Sequence, residues 1–236
     1  MKKELLVKIK SQGYWRVNFQ PVTVKNFTTL KECKEIIERS SVSLRGWDYP
    51  HIPRRNDGNG AMLACGEYFE GFEDWAMYKE FWRMYKSGQF LYYRGLREDW
   101  LAEDNWREEL AKKIKPGTVV SMISSVIYEV TEMFEFLSRL IENGLYQDGV
   151  EVDITLKNIE SRELWIGDEM RIPFMFPKKT GAKEISFKNK FSKEEIIENS
   201  KIIANRFILE IFDSFEFNPS SEQIMKDQEK LLSGRM

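Results

Sequence analysis

A single histidine, His51, stands among 236 residues, which excludes any metal site built on several imidazoles. Cysteine is nearly as scarce. Cys33 and Cys65 are the whole complement and lack a metal-ligand spacing, so reduced thiols in a cytoplasm are expected. No apolar run approaches the roughly 20 residues that a membrane-spanning helix needs. The start, Met1-Lys2-Lys3-Glu4, runs into a strand-like pattern rather than an apolar leader. Phosphate-cradling loops are missing too. Gly58-Asn59-Gly60 lacks the preceding strand, the following helix and the Lys-Ser/Thr ending. With no Gly-x-Ser-x-Gly elbow, Ser-His-Asp catalysis requires His51 and a distant serine. The expectation is a cytoplasmic protein with no metal, no cofactor and no membrane partner.

Aromatic residues are abundant: 16 Phe, 9 Tyr and 7 Trp. With 42% hydrophobic and 31% charged residues, the chain can bury a sizeable core. The aromatic excess suits thick packing or a partner surface. The net charge of -2 is unevenly spread. Residues 1–60 carry 12 Lys/Arg against 6 Asp/Glu, and the remainder 24 against 32. A basic N-terminal portion favours an anionic partner, although ordinary solvated charge explains it as well.

Alternation and helical spacing give the coarse organisation. Residues 5–9 and 14–19 read as strands of an antiparallel hairpin, ended by Pro21. Residues 29–39 read as a helix, with Leu30, Cys33, Ile36 and Ile37 on one face. Residues 42–44 suggest a short strand, residues 56–60 a loop and residues 62–70 another strand. Two aromatic runs, residues 81–85 and 90–94, flank Lys86-Ser87-Gly88-Gln89 and predict a hairpin. The competing reading is a helix over residues 75–86. After Pro116-Gly117 a wide apolar stripe predicts a long central helix from about Thr118 to Asn143-Gly144. Residues 150–156 and 163–166 suggest a second hairpin, and residues 171–190 a loop. Capping boxes at Ser192-Lys193-Glu194-Glu195 and Ser220-Ser221-Glu222-Gln223 open helices to about Phe212 and Leu232. The class is α+β: a mainly antiparallel sheet against a long central helix, with C-terminal helices, in one domain with an optional boundary near Pro116.

The segment of residues 44–55 concentrates the chemistry. Gly46 permits an unusual turn, while Pro50 and Pro53 fix φ and hold Tyr49 and Ile52 extended. Trp47 and Tyr49 are candidates to stack on a base or aromatic ligand. Arg45, Arg54 and Arg55 are candidates to hold a phosphate or carboxylate. Asp48 is placed to orient His51 for acid–base work, which makes that pair the candidate catalytic residues. The structural alternative has Asp48 capping a turn, Trp47 and Ile52 plugging the core, and an arginine paired with Asp48. Arg94 and Arg97, in Arg94-Gly95-Leu96-Arg97-Glu98-Asp99-Trp100, form a second Arg-Gly segment that either converges on the same pocket or forms an unrelated turn.

Carboxylates alone offer two magnesium-compatible runs: Glu67, Glu70, Glu73 and Asp74, or Glu98, Asp99, Glu103 and Asp104. Acidic surface runs are common, and a solvated face is the favoured reading of both. Glu151, Asp153, Thr155 and Lys157 make a loose echo of a nuclease spacing.

The run Ser43-Leu44-Arg45-Gly46-Trp47-Asp48-Tyr49-Pro50-His51-Ile52, with Ser87-Gly88-Gln89-Phe90, resembles a group of uncharacterised bacterial proteins. The resemblance extends through the long helix and the Asp227-Gln228 to Leu231-Leu232 run. It implies a bacterial cytoplasmic origin and carries no activity. Three readings follow: a non-enzymatic binding protein for a protein or nucleic-acid partner near residues 45–55; a hydrolase or nuclease of unfamiliar type using Asp48, His51 and the arginines; or a small-molecule sensor with an aromatic pocket.

Overall fold

A computed structural model describes residues 3–167 and 171–234. Its centre is a seven-stranded antiparallel sheet. The strands are β1 (Tyr14–Pro21), β2 (Gly60–Cys65), β3 (Tyr68–Trp75), β4 (Tyr78–Tyr85), β5 (Phe90–Gly95), β7 (Val150–Lys157) and β9 (Glu184–Phe191), in the order β2-β3-β4-β5-β1-β7-β9. β1 sits between β5 and β7, so it joins strands from both sides of Pro116. A small parallel pair, β6 (Val119–Ser121) with β8 (Glu163–Trp165), stands apart.

The helices are α1 (Lys3–Lys10), α2 (Leu30–Ser40), α3 (Glu108–Lys113), α4 (Glu129–Glu142), α5 (Lys193–Asp213) and α6 (Ser221–Leu232). A π-helical stretch, Met122–Tyr128, runs directly into α4. The α+β class, the large antiparallel sheet and the C-terminal helices follow the sequence reading. So do the β4–β5 hairpin and the capping boxes at Ser192 and Ser220. The central helix does so only in part: α4 is buried over most of its length but has 14 residues, whereas α5 has 21.

One sheet face carries Trp15, Val17, Phe19, Trp82, Met84, Phe90, Tyr92, Ile154 and Leu156, packed with the π stretch, α2, α4 and α5 into the main core. Phe207 of α5 meets Trp15 and Phe187, and Phe136 of α4 meets Phe90. On the opposite face α1 lays Leu5 and Ile9 over Tyr14, Ala61, Phe72, Phe81 and Tyr93.

Six expectations are corrected. Residues 5–9 are helical, not a strand paired with β1: the core takes Leu5 and Ile9, four apart, and leaves Val7 exposed. Met1 and Lys2, where that reading began, lie outside the described residues. The strand expected over residues 62–70 is two strands, β2 and β3, turning at Gly66, whose φ is +69°. Residues 150–156 and 163–166 do not pair: β8 joins β6, and β7 takes β9. β9 begins inside the expected loop 171–190 and ends just past it, with Ile185, Phe187 and Phe191 set among polar residues. Finally, the long helix begins at Met122 rather than Thr118, because Val119–Ser121 pairs with β8 and the Ser121 hydroxyl caps the helix from Ser124 N–H. Residues 42–44 make one bridge, Val42 to Tyr49, rather than a strand.

Among the described residues no helix is long and apolar enough to cross a membrane.

Candidate functional site

Register across the sheet places Glu73 of β3 opposite Glu80 of β4, Glu80 opposite Arg94 of β5, and Arg94 opposite Trp15 of β1. A charged row thus interrupts the core-facing side, and Glu73, Glu80 and Arg94 are all buried. Buried charges need partners. These come from residues 45–55 on one side and from the π stretch and α4 on the other.

Arg45 crosses to the helix. Its Nε donates to Glu132 Oε1 at 2.9 Å, and its Nη2 to Glu132 Oε2 at 2.7 Å and Glu129 Oε1 at 3.1 Å. Nη1 donates to the Ser124 carbonyl at 3.2 Å. Arg94 Nη1 lies 3.2 Å from Glu129 Oε2, and Arg97 Nη2 3.8 Å from Glu129 Oε1. Glu129 therefore faces three guanidinium groups. Burial, with the nearby Arg94 and Arg45 charges, brings Arg97 down to about 10.

Glu80 is the second hub. It accepts from Trp47 Nε1 at 2.6 Å, the Tyr92 hydroxyl at 2.9 Å and His51 N–H at 3.3 Å. Burial opposes its ionisation, but Arg94, His51 and the Trp47 and Tyr92 donors hold its carboxyl below the ordinary value. Trp82 Nε1 donates to the His51 carbonyl at 2.7 Å, so both backbone groups of His51 are fixed from the sheet. Gly71 makes room for this: a Cβ there would lie 2.4 Å from the Trp82 ring.

The aromatic side chains pack on one another. His51 and Tyr78 both stack on Trp47, with ring centroids 3.9 and 3.6 Å away. Trp75 lies nearly parallel to Trp47 and Tyr78. Arg97 sits 4.8 Å from the Tyr78 ring and Arg55 5.6 Å from the Trp75 ring. Tyr49, after which the peptide to Pro50 is cis, is fully buried against Tyr92 and Phe136.

At the outer end of the charged row, Glu73 Oε2 lies 3.7 Å from His51 Nε2, and Glu73 Oε1 3.6 Å from Arg55 Nε. Burial pushes the Glu73 carboxyl up to about 7; Arg55 opposes this, while Glu80, Asp57 and Asp74 add to it. Burial also lowers His51, against the pull of Glu80 and Asp48, with Arg94 and Arg55 adding to the fall. No hydrogen bond joins Asp48 to His51 among the described residues, so Glu73 is the carboxylate nearer the ring. Asp48 is half-buried.

The residues singled out in the sequence thus converge, and they divide into two groups. Arg45, Tyr49 and Arg94 are internal, and Arg97 nearly so. The Tyr49 hydroxyl, Arg94 Nη2, and Arg97 Nε and Nη2 have no hydrogen-bond partner among the described residues, yet they are closed off from solvent. Arg54 and Arg55 are exposed, and Trp75 keeps 41% of its surface. Glu73, Glu80, Glu129, Glu132, Trp75 and Tyr78 were not anticipated as parts of this site. A signal existed for two of them: Glu129 and Glu132, three apart, fall within the apolar stripe of a buried helix, where a carboxylate needs a cation.

The other acidic candidates have separate tasks. Glu70 pairs with Arg83, and Asp74 and Glu103 both meet Lys8 and Lys79. Glu98 accepts from Ser121 N–H and the Ser125 hydroxyl. Asp99 takes both Nη groups of Arg162 at 2.8 Å, and Asp104 caps Trp106 N–H. Glu67 is exposed. On β7, Asp153 pairs with Arg16 and Lys188, and Lys157 pairs with Glu184. Among the described residues no group of three or more His, Cys, Asp or Glu side chains is placed to hold a metal ion. Comparison with protein-family models, with curated proteins and with solved structures finds no match.

Proposed function

We propose that this is a non-enzymatic binding protein that engages another protein at the rim formed by Trp75, Arg54 and Arg55, with Trp47 behind them. The observation that carries this reading is the 41% exposure of Trp75 with the Arg55 guanidinium over its ring. Exposed tryptophan and arginine are the residue types that dominate binding energy at protein interfaces. The internal arginines are committed to carboxylates, whereas Arg54 and Arg55 are exposed, Arg55 with Glu73 3.6 Å from its Nε. A nucleic-acid reading needs free ring faces, and Trp47 already carries His51 and Tyr78.

The test is affinity purification of the full chain from its native host, beside Trp75→Ser and Arg55→Ser. One protein should co-purify with the wild type, survive nuclease treatment and be lost with both variants. Recovery of the chain alone, or with a partner that nuclease removes, overturns the reading.

A hydrolase or nuclease is the second reading, and it rests on His51 and Glu73 rather than on Asp48. The two side chains face each other at 3.7 Å, with Glu73 at about 7, which suits proton exchange near neutral pH. Turnover of ester or phosphodiester substrates, lost in both Glu73→Gln and His51→Ala while folding is retained, would establish it. No turnover by the wild type removes it.

A further inference from the structure

The two edges of the sheet are β2 and β9, and they differ in chemistry. β9 carries Glu184, Lys188 and Lys190, charges of the kind that keep an exposed edge from pairing with another chain. β2 reads Gly60-Ala61-Met62-Leu63-Ala64-Cys65, with no charge and no proline. This edge is open as well as neutral. The helices on the two sheet faces lie over inner strands, α1 over β4 and β5 and α2 over β3 and β4. Leu63 keeps 39% of its surface, and Ala64 is exposed.

Register fixes which backbone groups of β2 are unused. Asp74 N–H donates to the Asn59 carbonyl at 2.6 Å, one position before the Gly60–Glu73 pair. Antiparallel pairs alternate between hydrogen-bonded and non-hydrogen-bonded. Ala61, Leu63 and Cys65 therefore bond to β3, while Gly60, Met62 and Ala64 turn their N–H and C=O groups outward. Asp57 closes Gly60: the Gly60 N–H donates to Asp57 Oδ1 at 3.1 Å, and the Gly60 carbonyl accepts from Asp57 N–H at 2.9 Å. Among the described residues, Met62 and Ala64 make no backbone hydrogen bond beyond the sheet. A short window centred on Leu63 remains open between the Asp57–Gly60 turn and the Gly66 turn.

We propose that this chain forms a homodimer by pairing β2 with β2 of a second copy, antiparallel about a two-fold axis at Leu63. Met62 of each copy then stands opposite Ala64 of the other, and every open N–H and C=O of both windows is used. The window fixes the axis. Centring on Met62 would need the Gly60 groups that Asp57 holds, and centring on Ala64 would need Gly66, which turns away into the hairpin. An identical strand fits because it opens the same window between the same closed ends and brings no charge to a neutral edge. Leu63 faces Leu63 across the axis, so the exposed leucine leaves water. A two-fold contact closes on itself, and the charged β9 edge offers no second point of growth, so assembly stops at the dimer.

The experiment is sedimentation velocity on the purified full chain from about 1 μM to 1 mM, a range suited to a small contact. Wild type should pass from monomer to dimer as concentration rises. Leu63→Lys sets like charges against each other at the axis, and Ala64→Pro removes an outward N–H while sparing the β2–β3 ladder. Each should raise the dissociation constant at least about tenfold. Circular dichroism checks that both variants remain folded. Cross-linking gives a readout that needs no loss of pairing. Leu63→Cys in a Cys65→Ser background, where the remaining Cys33 is buried, should form a disulfide-linked dimer when copper phenanthroline oxidises it. Non-hydrogen-bonded partners have Cα atoms about 4.5 Å apart, within disulfide reach. Cys65→Ser alone should run as a monomer on a non-reducing gel. Wild type that stays monomeric up to about 1 mM overturns the proposal, as does a dimer undiminished by Leu63→Lys or a Leu63→Cys chain that does not cross-link. A monomer that instead captures a different protein, lost with Ala64→Pro, assigns the edge to a foreign strand and overturns the second copy. The purified chain alone decides the dimer, so the outcome is independent of partner capture at Trp75 and Arg55.

Discussion

Arg45 grips Glu132 with two hydrogen bonds, Nε to Oε1 at 2.9 Å and Nη2 to Oε2 at 2.7 Å, across 87 residues of chain. The same guanidinium reaches Glu129. One side chain therefore ties residues 45–55 to the buried helix and neutralises carboxylates that could not otherwise remain inside. The arginine proposed from sequence as a ligand contact is a fastener.

Arg45→Ala should cost about 3–5 kcal/mol, because it strands the buried Glu132 carboxylate without its partner and removes one of the three guanidinium groups that face Glu129. Combining it with Glu132→Gln should recover part of that loss, since the second change removes one uncompensated charge. Urea unfolding of the two variants and the wild type measures both effects. A loss under 1 kcal/mol for Arg45→Ala would mean that Arg94 and Arg97 can take over Glu129 and Glu132.

Gly71→Ala tests the sheet side of the same assembly. The added Cβ would fall 2.4 Å from the Trp82 ring, and Trp82 holds the His51 carbonyl. Moving the indole therefore loosens His51 as well as the core. Overpacking of this kind costs about 1–3 kcal/mol, readable as a fall in Tm together with a changed near-ultraviolet circular dichroism spectrum. Unchanged near-ultraviolet signal would show that the indole tolerates the methyl group.

The sequence was most legible where one local rule decided the outcome. Ser192 and Ser220 each close a capping box, and each helix starts where its box places it. The hairpin at Lys86-Ser87-Gly88-Gln89 likewise carries its own turn signal, with Gly88 at φ +84°. Legibility failed where distant partners decided. Leu5-Leu6-Val7-Lys8-Ile9 suits a strand or a helix, and packing on Tyr14, Phe72 and Phe81 selects the helix. β8 was paired with its neighbour in sequence, whereas its partner β6 lies more than 40 residues upstream. The site followed the same division. Residues 45–55 could be singled out by composition and backbone restriction, but the carboxylates that fix them come from β3, β4 and α4. Only register brings Glu73, Glu80 and Arg94 into one row.

Glu73 gives a pH prediction with a defined sign. Its carboxyl is raised to about 7 in the folded chain from an ordinary value of 4.5. Between those values the folded state holds a proton that the unfolded state releases. Its contribution to stability is therefore fully present below the lower value and is lost as pH rises through the upper one. The slope from this group approaches about 1.4 kcal/mol per pH unit at most. Glu73→Gln should flatten the stability profile between pH 4.5 and 7 and leave the mutant relatively more stable at neutral pH. Chemical denaturation at several pH values measures this, and parallel wild-type and mutant profiles would contradict the raised value.

Trp47 and Trp75 separate structure from recognition within one cluster. Trp47 donates to Glu80 and carries both His51 and Tyr78, so Trp47→Ala removes a hydrogen bond to a buried carboxylate along with two ring contacts. A loss of about 3–5 kcal/mol follows from a truncation of that kind. Trp75, exposed on the rim, should cost less than about 1 kcal/mol when changed to alanine. Partner capture should behave in the opposite way: Trp75→Ala abolishes it in a fully folded chain, and Trp47→Ala weakens it only as far as the fold is weakened. Thermal denaturation and affinity purification of the same two variants read the two effects independently. If Trp75→Ala retained the partner while Trp47→Ala lost it at full stability, the recognition surface would lie beneath the rim, on the face that Trp47 shares with His51.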